Sequence, residues 1–249
     1  LAGDVVDNGT LVFNRSDDVD FSGRITGSGG VSQRGNGTLR LVGDHSHGGS
    51  TTVSAGTLLL NGSARHSALG VVAGATFGGN AQVGALVVAG TLAPGNSPGQ
   101  ISAGATTFAG GGQILWEIND STGLAGVAYD LLAVTGSLTI DASPVSRFTI
   151  SLRSLLGDGT AGDVAHFDAK ADHRFTLAST SGGIVGFSAD AFAIDSSGFS
   201  NATFGGQWAV GVSGQDLTLN FTAAVPEPET WALLRSEEHT SELQSRYVI

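Results

Sequence analysis

Three stretches carry residue types that bind metals or move protons. Asp17, Asp18 and Asp20 bring carboxylates close together in the chain. Calcium takes roughly six to eight oxygen ligands, so the trio is only a beginning, and a solvated loop between strands is expected. Asp44-His45-Ser46-His47 sets imidazoles at i and i+2, on one face if the segment is extended. A zinc-type site wants about four ligands and the sequence offers no evident third, so a solvated turn is expected here too. Gly157-Asp158-Gly159-Thr160-Ala161-Gly162-Asp163 has the composition of a calcium-binding Gly/Asp repeat. A single copy lacks the stacked neighbour such sites use, so it reads as a plain turn. Glycoside hydrolysis needs paired carboxylates a few ångström apart. Between residues 37 and 116 Asp44 is the only acid, and Arg40 and Arg65 are the only arginines or lysines. P-loop and cysteine nucleophile are missing, and the one Gly-x-Ser-x-Gly spelling, Gly95-Asn96-Ser97-Pro98-Gly99, falls inside a Pro/Gly turn cluster. The sequence therefore assigns no catalytic, metal or cofactor residue.

The elements around these stretches are short strands. Gly37-Thr38-Leu39-Arg40-Leu41 returns 19 positions later as Gly56-Thr57-Leu58-Leu59-Leu60. Each phrase alternates at period two, so Leu39 and Leu41 share one face and Thr38 and Arg40 the other. The opening glycine supplies a turn that a Cβ would resist. Gly48-Gly49 and the β-branched run Thr51-Thr52-Val53 lie between the copies. About 20 residues that hold two or three strands make one coil of a β-solenoid. In-register stacking would place Leu58 over Leu39 and Leu60 over Leu41.

Gly9-Thr10-Leu11-Val12-Phe13 is an earlier copy, and Gly74, Gly90 and Gly104 restart later ones at spacings of 18, 16 and 14. Pro94-Gly95-Asn96-Ser97-Pro98-Gly99 is a turn cluster. Composition changes at Gly110-Gly111-Gly112. Beyond it, 113–118, 129–134, 136–140, 147–152, 174–177, 187, 207–212 and 216–221 read as strands. Leu155–Asp172 is open between loop and short helix.

The 249 residues include 39 Gly, one Lys, no Cys and no Met, and the formal net charge is −11. Nucleic acid and anionic membrane surfaces are poor partners for such a chain. No disulfide supports the fold. A hydrophobic share of 41% in short runs is too high for a disordered chain. From His66 to Trp116 there is no Asp, Glu, Lys or Arg, yet polar residues interrupt every apolar run well short of the ~18 that a membrane helix needs. The outward rows there should be Thr, Ser, Asn and Gln. No signal peptide is visible, and the start at Leu1 reads as a lost N-terminus.

The run from Gly35 to Gly62 resembles the autotransporter-associated β-strand repeat. It spells G-x-G-T-L-x-L-x-G, a short polar run, G-G-x-T-x-V, and x-x-G-T-L-x-L-x-G. The phrases at Leu92–Gly99 and at Trp116–Leu138 also resemble segments that follow the repeat and close such solenoids. The resemblance implies a right-handed parallel β-helix in an exported bacterial surface protein. Gly37, Thr38, Leu39, Gly56, Thr57 and Leu58 are its motif residues. His47 stands where the repeat often has an aromatic, which removes part of the usual packing.

Val225-Pro226-Glu227-Pro228-Glu229-Thr230-Trp231-Ala232-Leu233-Leu234 resembles the PEP-CTERM sorting signal of Gram-negative bacteria. Pro226, Glu227, Pro228 and Trp231 carry that likeness. It implies processing by an exosortase-type enzyme, often alongside exopolysaccharide, with the membrane engaged transiently through a following helix. Here Arg235-Ser236-Glu237-Glu238-His239 follows instead, and 235–245 reads as an in-frame translation of a sequencing-library adapter. Residues 235–249 are set aside as an artefact that replaces the helix.

The expected fold is all-β. A right-handed parallel β-helix spans 1–110 with its repeat core at 35–62. A β-rich region spans 111–222, and a short unstructured tail at 223–234 carries the truncated signal. The expected role is non-enzymatic, structural or adhesive, at the cell surface or in the extracellular matrix, with polysaccharide as a candidate partner. A carbohydrate-active β-helix enzyme and an autotransporter passenger fragment are the alternatives.

Overall fold

The computed structural model describes residues 3–225. The chain winds as a parallel β-helix. One face is an 8-stranded parallel sheet that runs from Thr10–Phe13 through Thr51–Val53 and Thr106–Ala109 to Ile184–Val185. A 14-stranded sheet and a two-stranded parallel pair, Val5–Val6 with Ile25–Thr26, make the rest. The strand Thr57–Ala64 of the 14-stranded sheet is long enough to serve two neighbours. The first half pairs with Thr76–Gly79, the second with Ala81–Val83, so the sheet bends into two columns there.

Register follows the repeated phrase. Thr38 pairs with Thr57, Leu39 with Leu58, Arg40 with Leu59 and Leu41 with Leu60, as the glycine-anchored copies predict. The stack continues inward as Leu39, Leu58, Phe77, Leu92, Ile114 and Ile150, each buried. Thr38, Thr57, Thr76, Thr91, Gln113 and Thr149 form the matching half-exposed row. Gly56 has φ +60°, and a Cβ there would strike the carbonyl oxygens of Gly35 and Gly37. The corner thus needs a residue without a side chain.

One ladder crosses the glycine triplet unbroken, because Thr106–Ala109 pairs in parallel with Leu138–Asp141 and Gln113–Ile118 with Phe148–Ser154. The core also turns aromatic there. Phe108 stacks on Phe148 at 4.1 Å, and Trp116, Tyr129 and Phe175 meet with ring centres 5.4–5.6 Å apart. The winding stops at His173–Thr180, which takes an antiparallel partner, Asp216–Thr222, paired in turn with Gln207–Ser213. Gly214, at φ +61°, opens the two-residue hairpin between these strands.

Two expectations are corrected, and one left open is resolved. Residues 155–172 form turns without a helix. Asp158 explains part of this: its carboxylate accepts from the backbone N–H and the hydroxyl of Thr160, a local turn that competes with helix. Phe187 lies outside any strand, and the pairing partner of Phe148–Ser154 is Phe192–Gly198 instead. His45 and His47 are buried, at 2% and 1% exposure, and form no solvated turn. His45 fills the interior position between Ile25 and Ala64, while its N–H reaches Ser63 O at 2.7 Å. His47 lies in the interior as well, with its Nε2 2.9 Å from Thr51 Oγ1.

Candidate binding surface

The residues that could have done chemistry stand apart from one another. Asp17 pairs with Arg15 at 2.6 Å, and the hydrogen bond from Arg15 holds its carboxyl below the usual range. Asp18 accepts from the Thr38 N–H and from Arg40, which hold it low as well. Asp20 lies 3.6 Å from Arg40. These carboxylates are used up locally and sit in water. His166 bonds Asp120 at 3.0 Å on the surface, and the Thr122 N–H, then His166, hold Asp120 down to about 2. Among the described residues no three His, Asp or Glu side chains converge on a point that could hold a metal ion.

The motif residues Gly37, Thr38, Leu39, Gly56, Thr57 and Leu58 are brought together as adjacent rungs, and their work is architectural. Pro226, Glu227, Pro228 and Trp231 lie outside the described residues.

The outward Thr38–Thr149 row is neutral and regular, while the charges of Arg15, Asp17, Asp18, Asp20 and Arg40 lie on the earlier coils. Successive strands of a sheet lie about 4.8 Å apart, so the Thr38–Thr149 row offers hydroxyl or amide groups at that repeat. Gln113 Nε2 donates to Thr91 Oγ1 at 2.8 Å. Round the bend, Asn61 Oδ1 accepts from the Asn80 N–H and from Asn96 Nδ2, both at 3.0 Å. Arg65 borders an open groove of about 490 Å³ lined by Gln82, Ser102 and Thr135. Its Nε donates to Gln82 Oε1 at 2.7 Å. Thr135 donates to Ala103 O at 3.1 Å. The surface supplies many weak polar contacts in rows, with no aromatic platform in the groove.

One residue escapes sequence inspection. Asp130 is 1% exposed and joins distant segments. It accepts from the Gly99 N–H at 2.7 Å and the Glu117 N–H at 3.0 Å, while its own carbonyl accepts from Trp116 Nε1 at 2.8 Å. Burial pushes its carboxyl up to about 8; the backbone donors oppose this and Glu117 adds to it. The signal was an acid directly before an alternating strand, a pattern shared by countless solvated turns.

Residues 31–60 match the family model of the passenger-associated-transport-repeat. That segment coincides with the glycine-anchored rungs described above, so the chain is a β-solenoid that carries this repeat. An extracellular serine protease of Serratia marcescens is 36% identical over 106 residues, 40% of this chain. An adhesin BmaC autotransporter of Brucella suis biovar 1 (strain 1330) is 43% identical over 83 residues, 32% of this chain. The matched segments span 10% and 2% of those relatives' lengths.

Proposed function

We propose that this chain is a non-enzymatic, exported structural or adhesive segment of a Gram-negative bacterium, working at the cell surface or in the extracellular matrix. The observation that carries the proposal is the joining of a passenger-type repeat to a solenoid whose rows are uncharged Thr, Asn and Gln. Rows repeated at about 4.8 Å suit a long ligand gripped by many hydrogen bonds, each contributing about 1 kcal/mol or less. Extracellular polysaccharide has that chemistry. Binding of the purified chain to a panel of envelope and matrix glycans tests this. Retention on at least one polymer, weakened when Thr57, Thr76 and Thr91 are changed to Val, is the expected result. No retention on any polymer overturns the adhesive part.

The finer proposal is sorting through Pro226, Glu227, Pro228 and Trp231 by an exosortase-type enzyme. The name of the Brucella relative favours a second reading, an autotransporter passenger segment. Sequencing the gene from intact genomic DNA across the Leu234 codon separates them. An apolar stretch with an arginine-rich end supports sorting. Amphipathic strands of a membrane barrel support the passenger.

A further inference from the structure

The interior of the first coils holds polar groups that the surface reading leaves unused. Asp7 Oδ2, His45 Nε2 and His47 Nδ1 are all buried and without hydrogen-bond partners. His45 and His47 share one coil, and Asp7 lies two coils before them. Asp7 N bonds Thr26 O and Gly48 N bonds Gly27 O, which puts Asp7, Gly27 and His47 on successive rungs. Gly27, between them, has no side chain to separate the acid from the imidazole.

The hydrogen bonds assign both tautomers. Ile25 N–H donates to His45 Nδ1 at 3.2 Å, so the ring proton of neutral His45 is on Nε2. Ser67 Oγ donates to Gly49 O at 2.8 Å, and a carbonyl can only accept. The protons of the Thr51–Ser67 pair, at 2.8 Å, then run toward Gly49, and His47 Nε2 donates to Thr51 Oγ1 at 2.9 Å. A second proton on His45 must go to Nδ1, where it faces the Ile25 N–H and breaks the link between coils. A second proton on His47 must go to Nδ1, which has no acceptor.

We infer that the His45-Ser46-His47 turn is an acid-sensitive latch that holds the first coils onto the rest of the solenoid. Burial lowers both imidazoles below their ordinary value. For His45 the neighbouring His47 adds to this and Asp44 opposes it; for His47 Asp7 opposes it. The sign follows from linkage. The latch is complete above the unfolded histidine value of about 6.5 and is lost as pH falls through the lower folded values. The coils open one after another, because each touches only its neighbours.

Hydrogen exchange of the whole chain, read peptide by peptide at pH 7.5 and 5.0 and corrected for intrinsic rates, tests the latch. Peptides over 24–34 and 44–53 should exchange at least about tenfold faster at pH 5.0, and peptides over 131–180 should not. The double variant His45→Asn, His47→Gln places amide groups where Nδ1 and Nε2 now bond and cannot titrate. It should remove the pH effect. Equal protection of the first coils at both pH values, acceleration spread evenly along the chain, or an unchanged pH effect in the double variant would each overturn the inference. Should the variant fail to fold, the wild-type comparison alone decides.

Discussion

Gly56 and Asp130 show how much a single position can carry. At Gly56 any Cβ meets carbonyls of the preceding coil while φ stays positive. Gly56→Ala is expected to cost about 1–3 kcal/mol, read from the urea midpoint. Asp130 acts through pH. Its folded value of about 8 lies above the ~3.9 of an unfolded aspartate. A raised acid contributes stability that is whole below the unfolded value and is lost as pH rises through the folded one. Stability should therefore fall from about pH 4 to about pH 8 and level off above, and between pH 6.5 and 8 this fall stands clear of the histidines. Urea titrations across that window should show the fall in the wild type and a flatter profile in Asp130→Asn. The midpoint of the variant should be lower throughout, since an amide nitrogen faces one of the two N–H donors, but the slope is the test.

At the scale of strands, the inward and outward rows of one phrase should respond differently. Leu58 is 1% exposed between Leu39 and Phe77. Leu58→Ala should cost about 2–5 kcal/mol, whereas Thr57→Ala beside it should stay within about 0.5 kcal/mol, both by chemical denaturation. That contrast was readable in advance, because period two and copied glycines specify face and rung together. The histidine turn was not. Two histidines after an aspartate have the composition of a surface loop, and only the rung they occupy makes them interior. Residues 155–172 misled for the opposite reason, since Leu155, Leu156, Val164 and Phe167 supply apolar spacing while the Asp158 turn and Gly159, at φ +82°, break any helix. The strand at Phe192–Gly198 was hidden by its polar half, Asp195-Ser196-Ser197. The closing hairpin has its own role. Removing 207–222 would leave the edge of His173–Thr180 unpaired, and such edges recruit other chains. The shortened protein should elute as aggregate in size-exclusion chromatography.

For the molecule as a whole, charge and contact chemistry separate. The net charge of −11 lies largely outside the uncharged stretch from His66 to Trp116. If the neutral rows hold a glycan, retention should change less than about twofold between 50 and 500 mM NaCl, since screening acts on charges and not on hydroxyl contacts. A steep loss with salt would move the binding site to Arg40, Arg65 or the acidic loop at Asp17–Asp20.

Among the described residues the long strand Thr57–Ala64 and its neighbours pair rung on rung with the adjacent coils. Length is therefore free to vary independently of everything else. Duplicating one unit of about 20 residues would push whatever lies at the far end outward by about 4.8 Å and leave both ends chemically unchanged. Copy number alone thus becomes a ruler, with no new interface to evolve.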